Sequence, residues 1–194
     1  MKKIVVVLLC LLFAKAASAQ KDSLVFDEHN KYIYYKVVEQ PGLTADTFQN
    51  RALYFLKINY PKNKIDQAAA PANITGTGKF LVLTGLSVAK HAAGEISYTF
   101  TIGYKDQKYR YWLTDFVYTP YKTDRYGNSV PEQGVEIPLE SGLSKLEKVE
   151  LNNCLDQSGA YSIQFGSKLK EYMVRISATK PAETKKKVIS TKDW

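Results

Sequence analysis

The stretch ISYTFTIGYKDQKYRYWLTDFVY, from Ile96 to Tyr118, decides the fold. Ile96, Tyr98, Phe100, Ile102 and Tyr104 alternate with Ser97, Thr99, Thr101 and Gly103, the period of two that a half-buried strand requires. Asp106-Gln107 then offers a two-residue polar turn, and a second strand follows from Lys108 to Tyr118. A hairpin closed at that turn sets Tyr104 opposite Tyr109, Ile102 opposite Tyr111 and Phe100 opposite Leu113 on a strongly apolar face. Its other face pairs Gly103 with Arg110, Thr101 with Trp112, Thr99 with Thr114 and Ser97 with Phe116. This register has one flaw: it turns Asp115 into the core opposite Tyr98. A β-bulge near Thr114 would return Asp115 to solvent, and would also move Phe116 and Tyr118 to the other face.

Outward from the hairpin, the elements order themselves. Upstream, Ile74 to Leu83 reads as a strand, and Lys62 to Asn73, rich in Ala, Pro and Lys, as a loop. Tyr32 to Val38 is a first strand with Ile33, Tyr35 and Val37 on one side. Between them, Thr44 is placed to cap a helix, with Asp46 beside its positive end and Leu43 and Phe48 in staple positions. Phe48, Ala52, Phe55 or Leu56, and Asn59 keep helical spacing, and Pro61 stops the helix near Tyr60. Downstream, a short strand around Val135, Ile137 and Leu139 carries Pro138, which suits an edge. Leu143 to Cys154 is ambiguous, because Ser144 and Glu147 fit a capping box while the apolar spacing is poor. Tyr161, Phe165, Leu169, Met173 and Ile176 recur every three or four residues and define an amphipathic helix.

The flanks belong to other processes. Lys2 and Lys3 precede an apolar run from Ile4 to Ala14, and Ala17-Ser18-Ala19 stands directly before Gln20. That is the layout of a secretory signal peptide over residues 1–19, with an apolar run too short for the roughly 20 residues that span a bilayer. The expected division is a signal peptide at 1–19, one α+β domain at 20–180 and a basic polar tail at 181–194 containing Lys185-Lys186-Lys187. Cleavage removes Lys2, Lys3 and Lys15 and no acid, lowering the formal charge from +8 to +5. It also removes Cys10, so Cys154 stands alone and the fold must rest on its core rather than on a disulfide.

The order strand, helix, run of strands, helix, behind a signal peptide, resembles the bacterial domain-of-unknown-function family 4468. The residues that carry the resemblance are Pro41-Gly42-Leu43-Thr44 opening a helix with Arg51-Ala52, Ile74-Thr75-Gly76-Thr77-Gly78 opening a strand, and Tyr109-Arg110-Tyr111 running to Thr114-Asp115-Phe116. The likeness covers most of Tyr32 to Ser177. It implies a fold like that of the TATA-box-binding protein: α+β, a curved antiparallel sheet of about five strands with two helices on one face, in the order β-α-β-β-β-β-α. It implies no activity, since none is assigned to the family and a fold does not by itself carry a function.

Catalytic patterns are weak throughout. Gly76-Thr77-Gly78-Lys79 lacks the flanking Gly and Ser/Thr of a phosphate loop, with Asn73 and Phe80 standing there instead. His29 and His91 have no metal-ligand spacing around them, and no Gly-x-Ser-x-Gly elbow exists. Pairing of Cys154 with a histidine is a matter of geometry that spacing does not address. No catalytic residue, metal or cofactor is therefore expected. Nucleic acid is not an expected partner either, because the charge forms no basic stripe and the leader directs the chain out of the cytoplasm.

One surface stands out. Two helices cover only one face of the sheet, so the Thr/Ser-rich face of the hairpin is expected to be open, with Trp112, Phe116 and Tyr118 on it beside Arg110. Aromatics among small hydroxyl residues suit stacking by a protein, peptide or glycan of the cell envelope. The competing reading packs these aromatics beneath the 143–155 segment or the tail. Arg110 and Trp112 are the more secure pair, because a bulge would not move them. The expectation is an exported, non-catalytic binding module, periplasmic or extracellular after cleavage near Ala19/Gln20; the alternative is an envelope-polymer hydrolase without a recognisable catalytic motif.

Overall fold

The computed structural model describes residues 24–70, 72–85 and 89–174. The expected signal peptide at 1–19, Ile176 and the expected tail at 181–194 lie outside the described residues. The elements run β1 (Val25–Phe26), β2 (Tyr32–Glu39), α1 (Ala45–Asn59), β3 (Lys64–Ala70), β4 (Asn73–Thr84), β5 (His91–Lys105), β6 (Lys108–Thr123), β7 (Ser129–Pro131) and β8 (Ile137–Pro138). A 3-10 turn at Leu139–Ser144 then leads into α2 (Lys148–Val174). The strands form one antiparallel sheet in the order β1-β2-β6-β5-β4-β3, with β7 and β8 pairing with the far half of β6.

The hairpin anchors this sheet. Lys105 pairs with Lys108, Tyr104 with Tyr109, Ile102 with Tyr111, Phe100 with Leu113 and Thr101 with Trp112. The turn residue Gln107 takes a left-handed φ of 65°. Beyond Thr99–Thr114 the register shifts, and Ser97 meets Val117 rather than Phe116. Asp115 and Phe116 thus stand opposite the single residue Tyr98, and Asp115 adopts a φ of 53°. A left-handed non-glycine residue costs about 1–2 kcal/mol. Burying Phe116 and Tyr118, both 0% exposed, returns roughly 1.5–3 kcal/mol each, so the bulge wins.

Both helices lie on one face. On α1, Phe48, Ala52, Phe55 and Leu56 are buried. The Thr44 hydroxyl accepts the Thr47 N–H at 3.4 Å, and the helix ends at Asn59 before Pro61, as its caps predict. Phe55 of α1 meets Phe165 of α2 edge-on with centroids 5.3 Å apart. Phe48 reaches Tyr109 of β6 at 5.4 Å, and Phe165 reaches Phe100 of β5 at 5.8 Å. The core therefore sits between the two helices and the apolar face of β5 and β6.

Several expectations are corrected. The sheet has eight strands rather than about five, because β1, β3 and β7 add to those read from pattern. The Lys62–Asn73 loop contains β3, an edge strand held by pairing Lys64 with Thr77 and Ile65 with Gly76. Ser144 does not cap a helix; its hydroxyl donates to the Ser141 carbonyl inside the 3-10 turn. The second helix begins at Lys148, well before Tyr161. Its first half buries Ser158, Gly159 and Ser162, small residues that apolar spacing passes over. Ser158 and Ser162 each donate to the carbonyl one turn back, at 2.8 and 2.7 Å, which satisfies their hydroxyls inside the core.

Candidate functional site: the open end of the hairpin

The four aromatic-face residues separate into two pairs. Phe116 and Tyr118 belong to the core on the helix side, placed there by the bulge, so they are no part of an open surface. The Tyr118 hydroxyl is committed as well, to the Ala93 carbonyl and a Glu150 carboxylate oxygen, each at 3.1 Å. Arg110 and Trp112 precede the bulge and stand on the face away from the helices. Arg110 is exposed and Trp112 half-buried, with the guanidinium 5.3 Å from the indole centroid.

The sheet brings β2 alongside them. Tyr35 pairs with Trp112 and Val37 with Arg110, so these two side chains share the open face, 44% and 52% exposed. The Tyr35 and Trp112 rings lie 6.2 Å apart, tilted by 36°. Next to them is a hollow of about 480 Å³ at the tip of the hairpin. Tyr35, Val37, Lys105, Lys108 and Arg110 are among the residues that line it. Its floor is Gly103, where an added Cβ would fall 2.6 Å from Asn73 Oδ1 and 3.2 Å from Arg110 Nε. Glycine there lets the Asn73 amide and the Arg110 side chain approach β5 without shifting.

The hollow is built on a fixed frame. The Gln40 N–H donates to the Gln107 carbonyl, and the Gln107 N–H to the Leu43 carbonyl, both at 2.8 Å. Asp106 Oδ1 accepts the Ala45 N–H at 2.8 Å, so the turn also satisfies the first residue of α1. On the far side, the Tyr104 N–H donates to the Ala72 carbonyl at 3.1 Å. The turn and strand ends around the hollow are thereby tied to β2, α1 and the start of β4.

Other chemically notable groups sit apart from it. Cys154 is fully buried on α2, and burial, with the Glu150 charge second, pushes its thiol up to about 12. His29 and His91 are exposed, His91 contacting the Ala89 carbonyl at 3.4 Å. Among the described residues, no three His, Cys, Asp or Glu side chains are grouped to hold a metal. No described helix is long and apolar enough to cross a membrane.

Tyr35, Lys105 and Lys108 are the site residues that strand patterns alone miss. The lysines flank the turn and were readable as a cross-strand pair. Tyr35 was not, because nothing local indicates which strand β2 joins.

Comparisons with known proteins agree with this architecture. Residues 34–119, from β2 through most of β6, match the model described as a domain of unknown function (DUF4468) with TBP-like fold. A crystal structure of a TBP-like protein from Parabacteroides distasonis superposes with a TM-score of 0.58 at 14% identity, covering 76% of this chain and 95% of that one. A DUF4468 family protein from Bacteroides ovatus gives 0.54 at 13%, covering 82% and 95%. At these identities the likeness is one of fold. No curated protein matches the sequence. The match to the family model and the likeness to both crystal structures thus agree on a TBP-like fold.

Proposed function

We propose that this chain is an exported, non-catalytic binding module that engages a protein, peptide or glycan of the cell envelope through the open face around Trp112. The observation that supports the reading is the array of Tyr35, Trp112 and Arg110 on the sheet face opposite both helices, beside a hollow of about 480 Å³. Amphipathic rings stacked with a guanidinium, partly exposed, make a surface on which a ligand ring or chain can settle with both apolar and polar contact. Sheet faces are rigid, so ligand ordering is the main entropic cost of binding there.

Export rests on the leader, and it has a direct test. Mass spectrometry of the protein recovered from cells is expected to find a mature chain beginning at Gln20. An intact amino terminus at Met1 in the mature pool would overturn export.

The binding face is tested by crosslinking in the native envelope, comparing wild type with Trp112→Ala. Trp112 lies outside the helix-covered core, so the variant is expected to keep its circular dichroism spectrum while losing partners. Identical partner lists would sink the role of this face.

A further inference from the structure

We infer that the hollow at the hairpin tip receives the carboxylate of an acidic glycan, a uronate-bearing sugar; the inference rests on the binding-face reading and specifies its ligand. The first ground is charge. Lys105, Lys108 and Arg110 all border the hollow, and no acidic residue is among the described residues that line it. Lys105 and Lys108 are direct cross-strand partners, an arrangement that disfavours the free hairpin through like-charge repulsion. An anion seated between them relieves that repulsion, and Arg110 adds a planar donor suited to a carboxylate. Lys108 also has Glu39 as its cross-strand partner on β2, outside the lining, so Lys105 and Arg110 are the cations without a carboxylate directly opposite; Asp106 is engaged with the Ala45 N–H.

The second ground is what surrounds the charge. Tyr35 offers a ring, Val37 an apolar contact and Asn73 an amide. The volume falls within the roughly 300–1,000 Å³ of small-ligand sites. A sugar ring stacking on Tyr35 with its carboxylate toward the lysines uses all of these groups.

Two other anionic polymers fit less well. β5 and β6 are interior strands, each paired on both sides, so their main chain offers no free ladder to an acidic peptide. Peptides that recognise sheets through main-chain hydrogen bonds do so at edges. Nucleic acid follows a stripe of cations along the surface. Here three cations cluster at the hairpin tip, and farther along the same face Lys79 is paired with Glu95 at 2.6 Å, which interrupts any stripe.

The test is calorimetric titration of the mature protein with oligosaccharides of galacturonate, glucuronate and mannuronate, their carboxyl-reduced neutral counterparts, polyglutamate and single-stranded oligothymidylate. Binding to at least one uronate is expected, with none to its reduced form and weaker binding to polyglutamate and oligothymidylate. Lys105→Gln combined with Lys108→Gln is expected to weaken uronate binding by about tenfold or more, with the circular dichroism spectrum unchanged. Tyr35→Ala is expected to weaken it as well. The inference is overturned if no uronate binds, if polyglutamate or oligothymidylate binds as tightly, or if the lysine variant binds unchanged. Should uronates fail while Trp112→Ala still alters the crosslinked partners, the binding face stands and only its ligand class falls.

Discussion

Asp115 shows how one residue sets the two faces of the sheet. Its φ of 53° lies in the left-handed region, which Asp and Asn tolerate because their short side chains bond locally and a β-branched residue does not. The carboxylate accepts a hydrogen bond from Lys31, pinning the segment before β2 to the bulge. The pair is partly exposed, so the charge itself contributes little, on the order of 0–1 kcal/mol. The backbone conformation matters more. Asp115→Asn is expected to change stability by less than about 1 kcal/mol, since Asn accepts the same φ. Asp115→Val is expected to cost about 2 kcal/mol or more, from left-handed strain plus the lost pair. Urea unfolding of the two variants measures the difference, and equal midpoints would show that the bulge does not need a residue able to take positive φ.

At the scale of elements, the seam between α2 and the sheet is set by a missing side chain. A Cβ on Gly166 would lie 1.9 Å from the Tyr111 hydroxyl oxygen and 2.6 Å from its Cζ. Helix propensity alone favours Gly166→Ala by about 1 kcal/mol, yet overpacking a filled core costs typically 1–3 kcal/mol. Tyr111 has little room to retreat, with the Phe165, Tyr34 and Tyr109 rings centred 6.3, 6.1 and 6.4 Å away. Gly166→Ala is therefore expected to destabilise, by up to about 2 kcal/mol. Adding Tyr111→Phe, which removes the clashing oxygen, should recover part of the loss in a double-mutant cycle. Stabilisation by the single change would mean that the helix stands farther from the sheet. The same seam marks the limit of reading elements from sequence. The β5–β6 hairpin was legible because a two-residue turn fixes its register locally, and even the bulge announced itself through an acid aimed at the core. The first half of α2 was not, since its buried face is Ser158, Gly159 and Ser162 rather than a periodic apolar stripe. Nor was β3, whose pairing with β4 overrides a composition poor in β-branched residues. Of the candidate site, Arg110 and Trp112 could be placed from the hairpin alone. Tyr35 reaches them only through the long-range pairing of β2 with β6.

At the scale of the whole molecule, tyrosine joins the layers of the core and makes its stability sensitive to alkaline pH. Tyr98 of β5 and Tyr161 of α2 share a hydrogen bond of 2.7 Å between hydroxyls, and Tyr161 stacks on Phe80 of β4 at 4.3 Å. Burial raises the pKa of Tyr60, Tyr98, Tyr111, Tyr118 and Tyr161, and pushes that of Tyr109 up to about 12. Tyr109 also has no partner for its buried hydroxyl among the described residues, so its phenolate would be buried without compensation. In the unfolded chain these groups ionise near pH 10. The folded state therefore holds more protons than the unfolded state above that pH, and stability falls as pH rises. Below about pH 10 the contribution is fully present; it is lost progressively as pH climbs from there through the raised folded-state values. Because the six phenols sit in one packed core, their ionisation should be coupled to unfolding rather than spread over independent steps. An alkaline titration following tyrosinate absorbance together with far-ultraviolet circular dichroism is expected to show these tyrosines ionising as helical signal disappears. Complete tyrosine ionisation with the helical signal intact would mean that hydroxide reaches the core without unfolding it, and that the phenols do not hold the layers together.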